Sequence, residues 1–274
     1  NVSYSPTPPP FNPMDFSKIY GGTGVATAAT VPVGIFTQGS LTATISNLAV
    51  FASSNGIASP ATQTVVVGTP SSDTSGATEW ELDSQDIVGM AGGAVQKIVF
   101  YNVNSLSNAD ILAGFNKIVT DNAVKIINFS IGGCETDSLN DGSWIAFDQE
   151  FAQAVAQGQT FSVSTGDSGA DECENGLTTP SSPANSRYVM AVAGTSLTAS
   201  HTAYASESVW SGSGGSASLY SPKPYWQNTL FTSGTKRGVA DVAFDADPAT
   251  GAAVVTSSTR LSTIGGTSLS APIF

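Results

Sequence analysis

Three acidic residues on one predicted helix form the first candidate for chemistry. In the string EWELDSQD, Glu79, Asp83 and Asp86 recur at intervals of four and three residues, which places them on one face of a mostly apolar helix. Carboxylates held close together and away from water bind protons more tightly. Such a pair can act as a general base with a proton reservoir behind it. The alternative is a solvated acidic helix start; Glu81 is expected at the surface, and a surface position for Asp86 stays open.

A strand that runs into a glycine-bounded turn supplies the second candidate. In FSVSTGDSGA, Asp167 is expected at the carboxyl end of a strand, where functional groups of α/β sheets collect. The alternative is a turn residue that binds its own backbone. The string GDSG also matches the nucleophile motif of chymotrypsin-like proteases, with Ser168 as the nucleophile. That interpretation needs an upstream histidine and an all-β double barrel, whereas the only histidine, His201, lies downstream.

The third candidate is Ser268 in the C-terminal string IGGTSLSAPIF. Two glycines allow a tight turn, a helix is predicted to follow, and Pro272 fits its first turn. A hydroxyl at a helix start meets backbone N–H donors, which favour an oxyanion on an attacked carbonyl. The alternative is that Thr267, Ser268 and Ser270 only cap the helix.

Composition excludes several classes of function. The chain has 274 residues, 21 acidic against 9 basic residues and a formal net charge of −12, so nucleic acid is not an expected partner. No apolar run reaches the roughly 20 residues of a membrane span, and the N-terminal residues lack the pattern of a signal peptide. The two cysteines, Cys134 and Cys173, are expected to form a disulfide in an oxidising compartment, two free thiols being the alternative. Too few Cys and His are present for a zinc site.

Alternating strand and helix patterns predict how these residues are positioned. β-Branched runs predict strands at 31–37, 64–67, 97–103, 124–129, 159–165 and 188–193. Helical spacing predicts helices at 41–54, 80–91, 108–123 and 143–157. Residues 1–20 are predicted to be an extended arm, and residues 195–250 to be surface loops or a short hairpin. This order predicts one α/β domain with a doubly wound, mostly parallel central sheet and helices on both faces.

Together the three strings resemble those of the sedolisins, the serine-carboxyl peptidases, whose fold is subtilisin-like. The likeness extends from PMDFSKIY near the N-terminus to GGTSLSAPIF at the end. It implies that Ser268 is the nucleophile, Glu79 its general base, Asp83 the proton partner of Glu79, and Asp167 the oxyanion donor. It also implies an endopeptidase that works in acid, since a carboxylate base and a carboxylic-acid donor titrate near pH 4 in water.

The same resemblance implies a substrate-binding strand and further partners. The segment SIGG, with Ser130, Gly132 and Gly133, resembles the strand that pairs with substrate backbone in subtilisin-like enzymes. The protein is expected to be secreted, to act on polypeptides and to be made with a propeptide. The family's calcium site lies beyond the serine helix, so calcium is expected with ligands beyond Phe274, and none is assigned to residues 1–274. A second polypeptide, such as the chain's own C-terminal fragment, is one expected source of that segment.

Two other functions compete with this hypothesis. A subtilase with an Asp-His-Ser triad would use His201, but the local string SHTA lacks the surrounding pattern of that motif. A non-catalytic domain would instead bind a cation through Glu79, Asp83, Asp86 and Asp167. Hard cations usually draw their ligands from a loop and not from a regular helix, which makes this alternative the weaker one.

Overall fold

The chain alternates between strands and helices in the computed structural model, which describes residues 2–230 and 233–274. The helices are α1 (Pro13–Ile19), α2 (Thr42–Ser54), α3 (Ala77–Met90), α4 (Asn108–Asp121), α5 (Glu135–Asn140), α6 (Ser143–Ala156) and α7 (Thr267–Ile273). The strands are β1 (Pro32–Gln38), β2 (Ala61–Val67), β3 (Lys97–Val103), β4 (Ile126–Phe129), β5 (Gly133–Cys134), β6 (Thr160–Ser164), β7 (Ser181–Ser182), β8 (Met190–Ala199), β9 (Tyr204–Val209), β10 (Ala217–Pro222), β11 (Lys236–Gly238), β12 (Val242–Asp245), β13 (Ala252–Ser257) and β14 (Arg260–Ile264).

Seven parallel strands make the central sheet, in the order β12-β8-β6-β4-β1-β3-β2. Strand β9 adds to β8 in the antiparallel direction. The remaining strands pair as β10 with β11, β13 with β14, and β5 with β7. The predicted α/β class and doubly wound sheet are therefore confirmed.

Apolar side chains on both faces explain why the central strands are nearly continuous hydrophobic runs. Neighbouring residues of β1 belong to different cores: Ile35 packs with α2 and α3, and Phe36 packs with α4 and α6. On the second side, the Phe115 ring lies 4.7–5.6 Å from the ring centres of five other phenylalanines: Phe36, Phe129, Phe147, Phe151 and Phe161. Helices thus cover both faces, and α4 is fixed by its aromatic contacts.

Two regional predictions were wrong. Residues 13–19 of the predicted extended arm form α1, because Asn12 and Asp15 make a reciprocal capping box and Pro13 begins the helix. The predicted irregular region 195–250 contains β9 to β12, and β12 joins the central sheet beside β8. Pro272 lies inside α7 and not in its first turn.

The carboxyl ends of the parallel strands gather the candidate residues. Ser130 directly follows β4, and Asp167 follows β6, which is the neighbour of β4 in the sheet. Helix α7 is held over this edge by two buried hydroxyls: Ser162 of β6 donates to the Ala271 carbonyl at 2.6 Å, and Ser270 donates to the Ala193 carbonyl of β8 at 2.8 Å. Ser268 is therefore carried to the edge where Asp167 lies.

Cys134 and Cys173 form the expected disulfide. It joins the start of α5 to the loop that follows Asp167, so both segments near the sheet edge are tied together. No helix within residues 2–230 and 233–274 is long and apolar enough to cross a membrane.

We expect Phe115→Ala to lower the free energy of unfolding by about 3–5 kcal/mol, because it leaves a cavity among five rings that cannot close around it. Ile145→Ala is the matched control, since Ile145 lies on α6 and is 53% exposed. Denaturant unfolding monitored by fluorescence measures both variants. Equal small losses for the two would contradict the central role of Phe115 in the core.

Candidate functional site

Helices α3 and α7 bring the predicted nucleophile and base together. Glu79 lies in the first turn of α3, and Ser268 is the second residue of α7. Both side chains are partly buried, and the Ser268 hydroxyl acts as a hydrogen-bond donor toward the Glu79 carboxylate. The other Glu79 oxygen, Oε1, is buried without a partner. A hydroxyl and a carboxylate are thus paired where a proton can pass between them.

One helical turn further along α3, Asp83 is fully buried behind Glu79. Its Oδ1 accepts a hydrogen bond of 2.7 Å from the Ser130 hydroxyl, and Ser130 accepts one of 2.9 Å from Asn128. The Oδ2 oxygen of Asp83 is buried and has no hydrogen-bond partner. The predicted pair of acids on one helix face is therefore extended by two polar residues of the neighbouring strand end.

Burial is the largest cause of the raised pKa values of Glu79 and Asp83. The pKa of Glu79 is raised to about 7, mainly by burial; the Ser268 hydroxyl opposes this rise, and the nearby Asp167 charge contributes to it. Burial also raises the pKa of Asp83 well above its usual value, followed by repulsion from Glu79, while the Ser130 hydroxyl and the nearby Asn128 amide lower it. A pair with these interactions retains a proton more readily than free carboxylates do.

Asp167 is held beside the start of α7. Its Oδ1 accepts from the Thr267 backbone N–H at 2.7 Å and lies 3.0 Å from the Thr267 hydroxyl. Thr267 also contacts the Gly166 backbone, so the turn and α7 are joined twice. Gly266 has φ +95°, and an added Cβ would lie 2.7 Å from Asp167 Oδ2, so only glycine fits there. The exposed Asp167 thus lies next to the Ser268 backbone.

Two further acids of α3 are buried, and the expected surface position of Glu81 was wrong. Glu81 is 2% exposed and accepts from the Asn47 amide of α2 at 2.6 Å. Asp86 is fully buried, and neither of its oxygens has a hydrogen-bond partner. Burial raises its pKa well above the usual value, and the charge of Asp245 adds to the rise. The third acid of the predicted stripe is therefore a buried group and not a solvated one.

Asp245 is the acid that sequence reasoning missed. It ends β12, is fully buried and accepts from Thr250 at 2.7 Å through Oδ1, while its Oδ2 has no partner. Burial raises its pKa to about 7. Asn128 was also missed as a functional candidate, although a polar amide inside a predicted buried strand is a usable signal of a hydrogen-bond network.

The predicted substrate segment lies open at the edge of the sheet. Gly132 and Gly133 are exposed, and they line a cavity of about 310 Å³ together with Ile131, Leu106 and Phe129. The side chain of Ser130, in contrast, is buried against Asp83. Of the three predicted substrate-binding residues, the two glycines are therefore exposed, although Gly133 also pairs with Ser182 of β7, and Ser130 directs its hydroxyl inward.

The residues of the competing hypotheses lie elsewhere. The His201 ring is 2.7 Å from an Asp15 oxygen on α1, so its contact is with α1 and not with Ser268. Ser168 is exposed and donates to Glu174, and the parallel sheet excludes the all-β barrel that the chymotrypsin-like interpretation requires. Within the described residues, no group of three or more His, Cys, Asp or Glu side chains is arranged to hold a metal ion.

Known proteins resemble this chain in both sequence and fold. Residues 64–274 match the Subtilase family. The chain is 44% identical over 286 residues to sedolisin from Pseudomonas sp. (strain 101), a match that covers 96% of this chain and 49% of that protein. It is 37% identical over 310 residues to xanthomonalisin from Xanthomonas sp. (strain T-22), covering 96% of this chain and 37% of that protein. The chain thus spans half or less of the length of these relatives.

A solved structure gives the same result. The structure of Pseudomonas sedolisin complexed with two molecules of pseudo-iodotyrostatin matches with a TM-score of 0.92 at 44% identity. That match covers 96% of this chain and 78% of the solved chain. Sequence and backbone geometry therefore agree on one family.

We expect the contribution of Asp245 to the free energy of unfolding to be full below about pH 4 and to be lost as the pH rises through about 7, its folded pKa. The sign follows because a raised pKa means that the folded state keeps a proton that the unfolded chain releases. From 3.8 to about 7, the shift corresponds to at most about 4 kcal/mol.

Asp245→Asn should shrink this pH dependence, because the amide keeps the Oδ1 acceptor and cannot ionise. Denaturant unfolding at several pH values measures the effect. Asp137→Asn, at an exposed acid of α5, is the control and should leave the slope unchanged. A pH dependence that is the same in Asp245→Asn and in the wild type would contradict the assignment.

Proposed function

The chain belongs to the subtilase family and, within it, to the sedolisins, and from this premise we propose that it is a serine-carboxyl endopeptidase that cleaves polypeptides in acid. The observation that carries the proposal is the contact of the Ser268 hydroxyl with the buried Glu79 carboxylate, with Asp83 directly behind it. Because the chain covers 49% of the length of the sedolisin it matches, the activity of the whole protein is part of the proposal.

In the first chemical step, Ser268 Oγ forms a bond with the carbonyl carbon of the substrate, and its proton passes to Glu79. Asp83 keeps its own proton and hydrogen-bonds the Glu79 carboxylate, which holds the base in place. When the tetrahedral intermediate collapses, the C–N bond breaks and Glu79 returns the proton to the leaving amine. Water then attacks the acyl carbon with Glu79 again as the base. The bond between that carbon and Ser268 Oγ breaks, the peptide acid leaves, and Glu79 returns the proton to Ser268.

Asp167 is proposed as the donor to the oxyanion. The Thr267 backbone N–H has a hydrogen to give and no lone pair, so Asp167 Oδ1 must be an acceptor. In protonated Asp167 the hydrogen therefore lies on Oδ2, which is free to donate to the substrate oxyanion with the Ser268 backbone N–H. A carboxyl group serves this purpose only in its acid form, so the proposal includes an acidic working range.

Gly132 and Gly133 are proposed to pair with the backbone of an extended substrate. Two observations support this assignment: both glycines are exposed shortly after β4, and the adjoining cavity has both apolar and polar walls that can contact substrate side chains. The buried hydroxyl of Ser130 suits a different role. Secretion is also proposed, supported by the disulfide, which persists in oxidising compartments.

Calcium is not given a role in this mechanism. The expectation of ligands beyond Phe274 stays a prediction, and the described residues bring no suitable group of acidic ligands together. The buried acids of α3 do not fit a cation site, since Asp86 and Asp83 lie inside the fold along one regular helix, away from a ligand loop.

We expect kcat/KM on an unfolded protein substrate to follow a bell-shaped pH profile with its maximum below pH 7. In the active form, Glu79 is ionised and Asp167 is protonated. The fraction of enzyme in this form rises and then falls with increasing pH, whichever of the two groups is the stronger acid. Glu79→Gln and Ser268→Ala should each lower kcat/KM at least about a thousandfold. His201→Ala is the control and should retain activity within about twofold, whereas activity that rises to a plateau at neutral pH and needs His201 would favour the triad alternative.

Asp167→Asn should retain much more activity than Asp167→Ala, because the amide still accepts from Thr267 through Oδ1 and donates from the other position. We expect a loss of about a hundredfold or more for the Ala variant. The Asn donor cannot ionise, so the alkaline limb of the profile should disappear and activity should rise through about pH 7, the pKa of Glu79. Steady-state kinetics across the pH range measures both effects, and equal losses with unchanged profiles would exclude the donor role.

A further inference from the structure

Asn128 and Ser130 form a hydrogen-bonded line that ends on Asp83. Asn128 precedes Phe129, the last residue of β4, and is 2% exposed. Ser130 directly follows the strand and is 8% exposed. The Asn128 Nδ2 atom is 2.9 Å from Ser130 Oγ, which is 2.7 Å from Asp83 Oδ1. All three groups are buried, so water does not compete for these hydrogen bonds.

The direction of the first hydrogen bond in this line is fixed by the chemistry of the amide, and in the second the Ser130 hydroxyl donates to Asp83. The Asn128 amide nitrogen can only donate, so Ser130 Oγ is an acceptor toward Asn128. The single hydrogen of the Ser130 hydroxyl is then available for Asp83, and Oδ1 is an acceptor toward Ser130. An oxygen that accepts in this way does not carry the carboxyl proton. The remaining oxygen, Oδ2, is buried and has no partner that would compete for it.

We propose that Asn128 and Ser130 are positioning residues that place the proton of Asp83 on Oδ2, so that protonated Asp83 can donate only toward Glu79. The proposal rests on the proposed function for its consequence in catalysis, whereas the proton position itself does not depend on activity. It assigns the Ser130 side chain a role separate from the substrate contact predicted for its segment. These two hydrogen bonds also prevent Asp83 from sharing its proton with the side chains of Asn128 and Ser130.

The charged surroundings of Asp83 are few. Glu79 and Asp86 lie on its own helix, and Asp245 interacts with Asp86. Helix α1, packed against α3, carries Asp15 and Lys18. The other elements packed against α3 carry no charged residue: α2, α7, β1 and β13. A change at Ser130 therefore acts mainly on the pair of Asp83 and Glu79.

Infrared difference spectroscopy of the full chain tests the proton position directly. The carbonyl-stretch band of protonated Asp83 is identified by its loss in Asp83→Asn. If Oδ1 is the carbonyl oxygen and accepts from Ser130, Ser130→Ala should move that band to higher wavenumber and raise its titration midpoint. Ser84→Ala is the matched control, since Ser84 is buried on the same helix and donates to the Trp80 carbonyl. An Asp83 band that does not move in Ser130→Ala would overturn the proposal.

Steady-state kinetics tests the consequence. Ser130→Ala should lower kcat about tenfold, near the upper end of what the loss of a hydrogen bond between neutral groups causes, and should leave KM within about twofold. Ser130→Thr, which keeps the hydroxyl, should recover kcat to within about threefold of wild type. A raised KM with unchanged kcat would instead make Ser130 a substrate contact and overturn the role in catalysis.

The two proposals fail in different ways. If Glu79→Gln and Ser268→Ala leave activity unchanged, the proposed function is wrong, and the infrared result still decides where the Asp83 proton lies. If those variants are inactive and the Asp83 band is insensitive to Ser130, only the positioning role is wrong. Melting temperatures of Ser130→Ala and Ser84→Ala establish that both variants are folded.

Discussion

Helix α3 takes carboxyl groups out of water, and the rest of the site follows from that constraint. Removing an ionised carboxylate from water without giving it hydrogen-bond partners costs much free energy. The carboxylate avoids this cost when it binds a proton and becomes neutral. Asp83 and Asp86 both have buried oxygens without partners. Each therefore favours the protonated form, and a neutral acid beside an ionised one is the arrangement that general-base catalysis by carboxylates requires.

The same protein also buries acids that it fully satisfies. Glu135 is completely buried but accepts hydrogen bonds from Asn185, Ser218 and the Leu219 backbone N–H. Asp241 receives two hydrogen bonds from the buried Arg237 guanidinium. The hydrogen bonds of these two carboxyl groups hold the loops around the sheet in place. Carboxylate oxygens without partners also occur outside α3, as at Asp245, but on α3 three acids of one helix, Glu79, Asp83 and Asp86, share this property.

Two donors decide where the protons of the site lie. The Thr267 backbone N–H reserves one oxygen of Asp167 as an acceptor, and Ser130 does the same for Asp83. In both carboxyl groups the second oxygen is left to carry the hydrogen. Because a carboxyl group is nearly symmetric, such a donor is the simplest means of giving it a direction. Orientation therefore comes from the strand ends and the start of α7, which also hold Ser268 in place.

The sequence predicted the parts of this arrangement that depend on local patterns. Strand β3 was predicted at its observed bounds, and the spacing of Glu79 and Asp83 placed both on one helix face. The burial of Glu81 and Asp86 could not be predicted, because it depends on α2 and β12, which approach α3 only in the folded chain. The capping box of α1 was readable from Asn12 to Asp15 but lay in a Pro-rich segment that suggested an arm.

Protonation of carboxyl groups favours both the stability of the fold and the proposed chemistry. Asp86 and Asp245 favour the protonated form because of burial, and their protons stabilise the fold. Asp83 and Asp167 need protons for the proposed chemistry. Raising the pH would remove both contributions together, although Asp245 lies on β12, away from Ser268 and Asp167 in sequence, and reaches the site only through its interaction with Asp86. A variant such as Asp245→Asn separates them, because it changes the stability of the fold at neutral pH while it leaves the contacts of Ser268 and Glu79 in place.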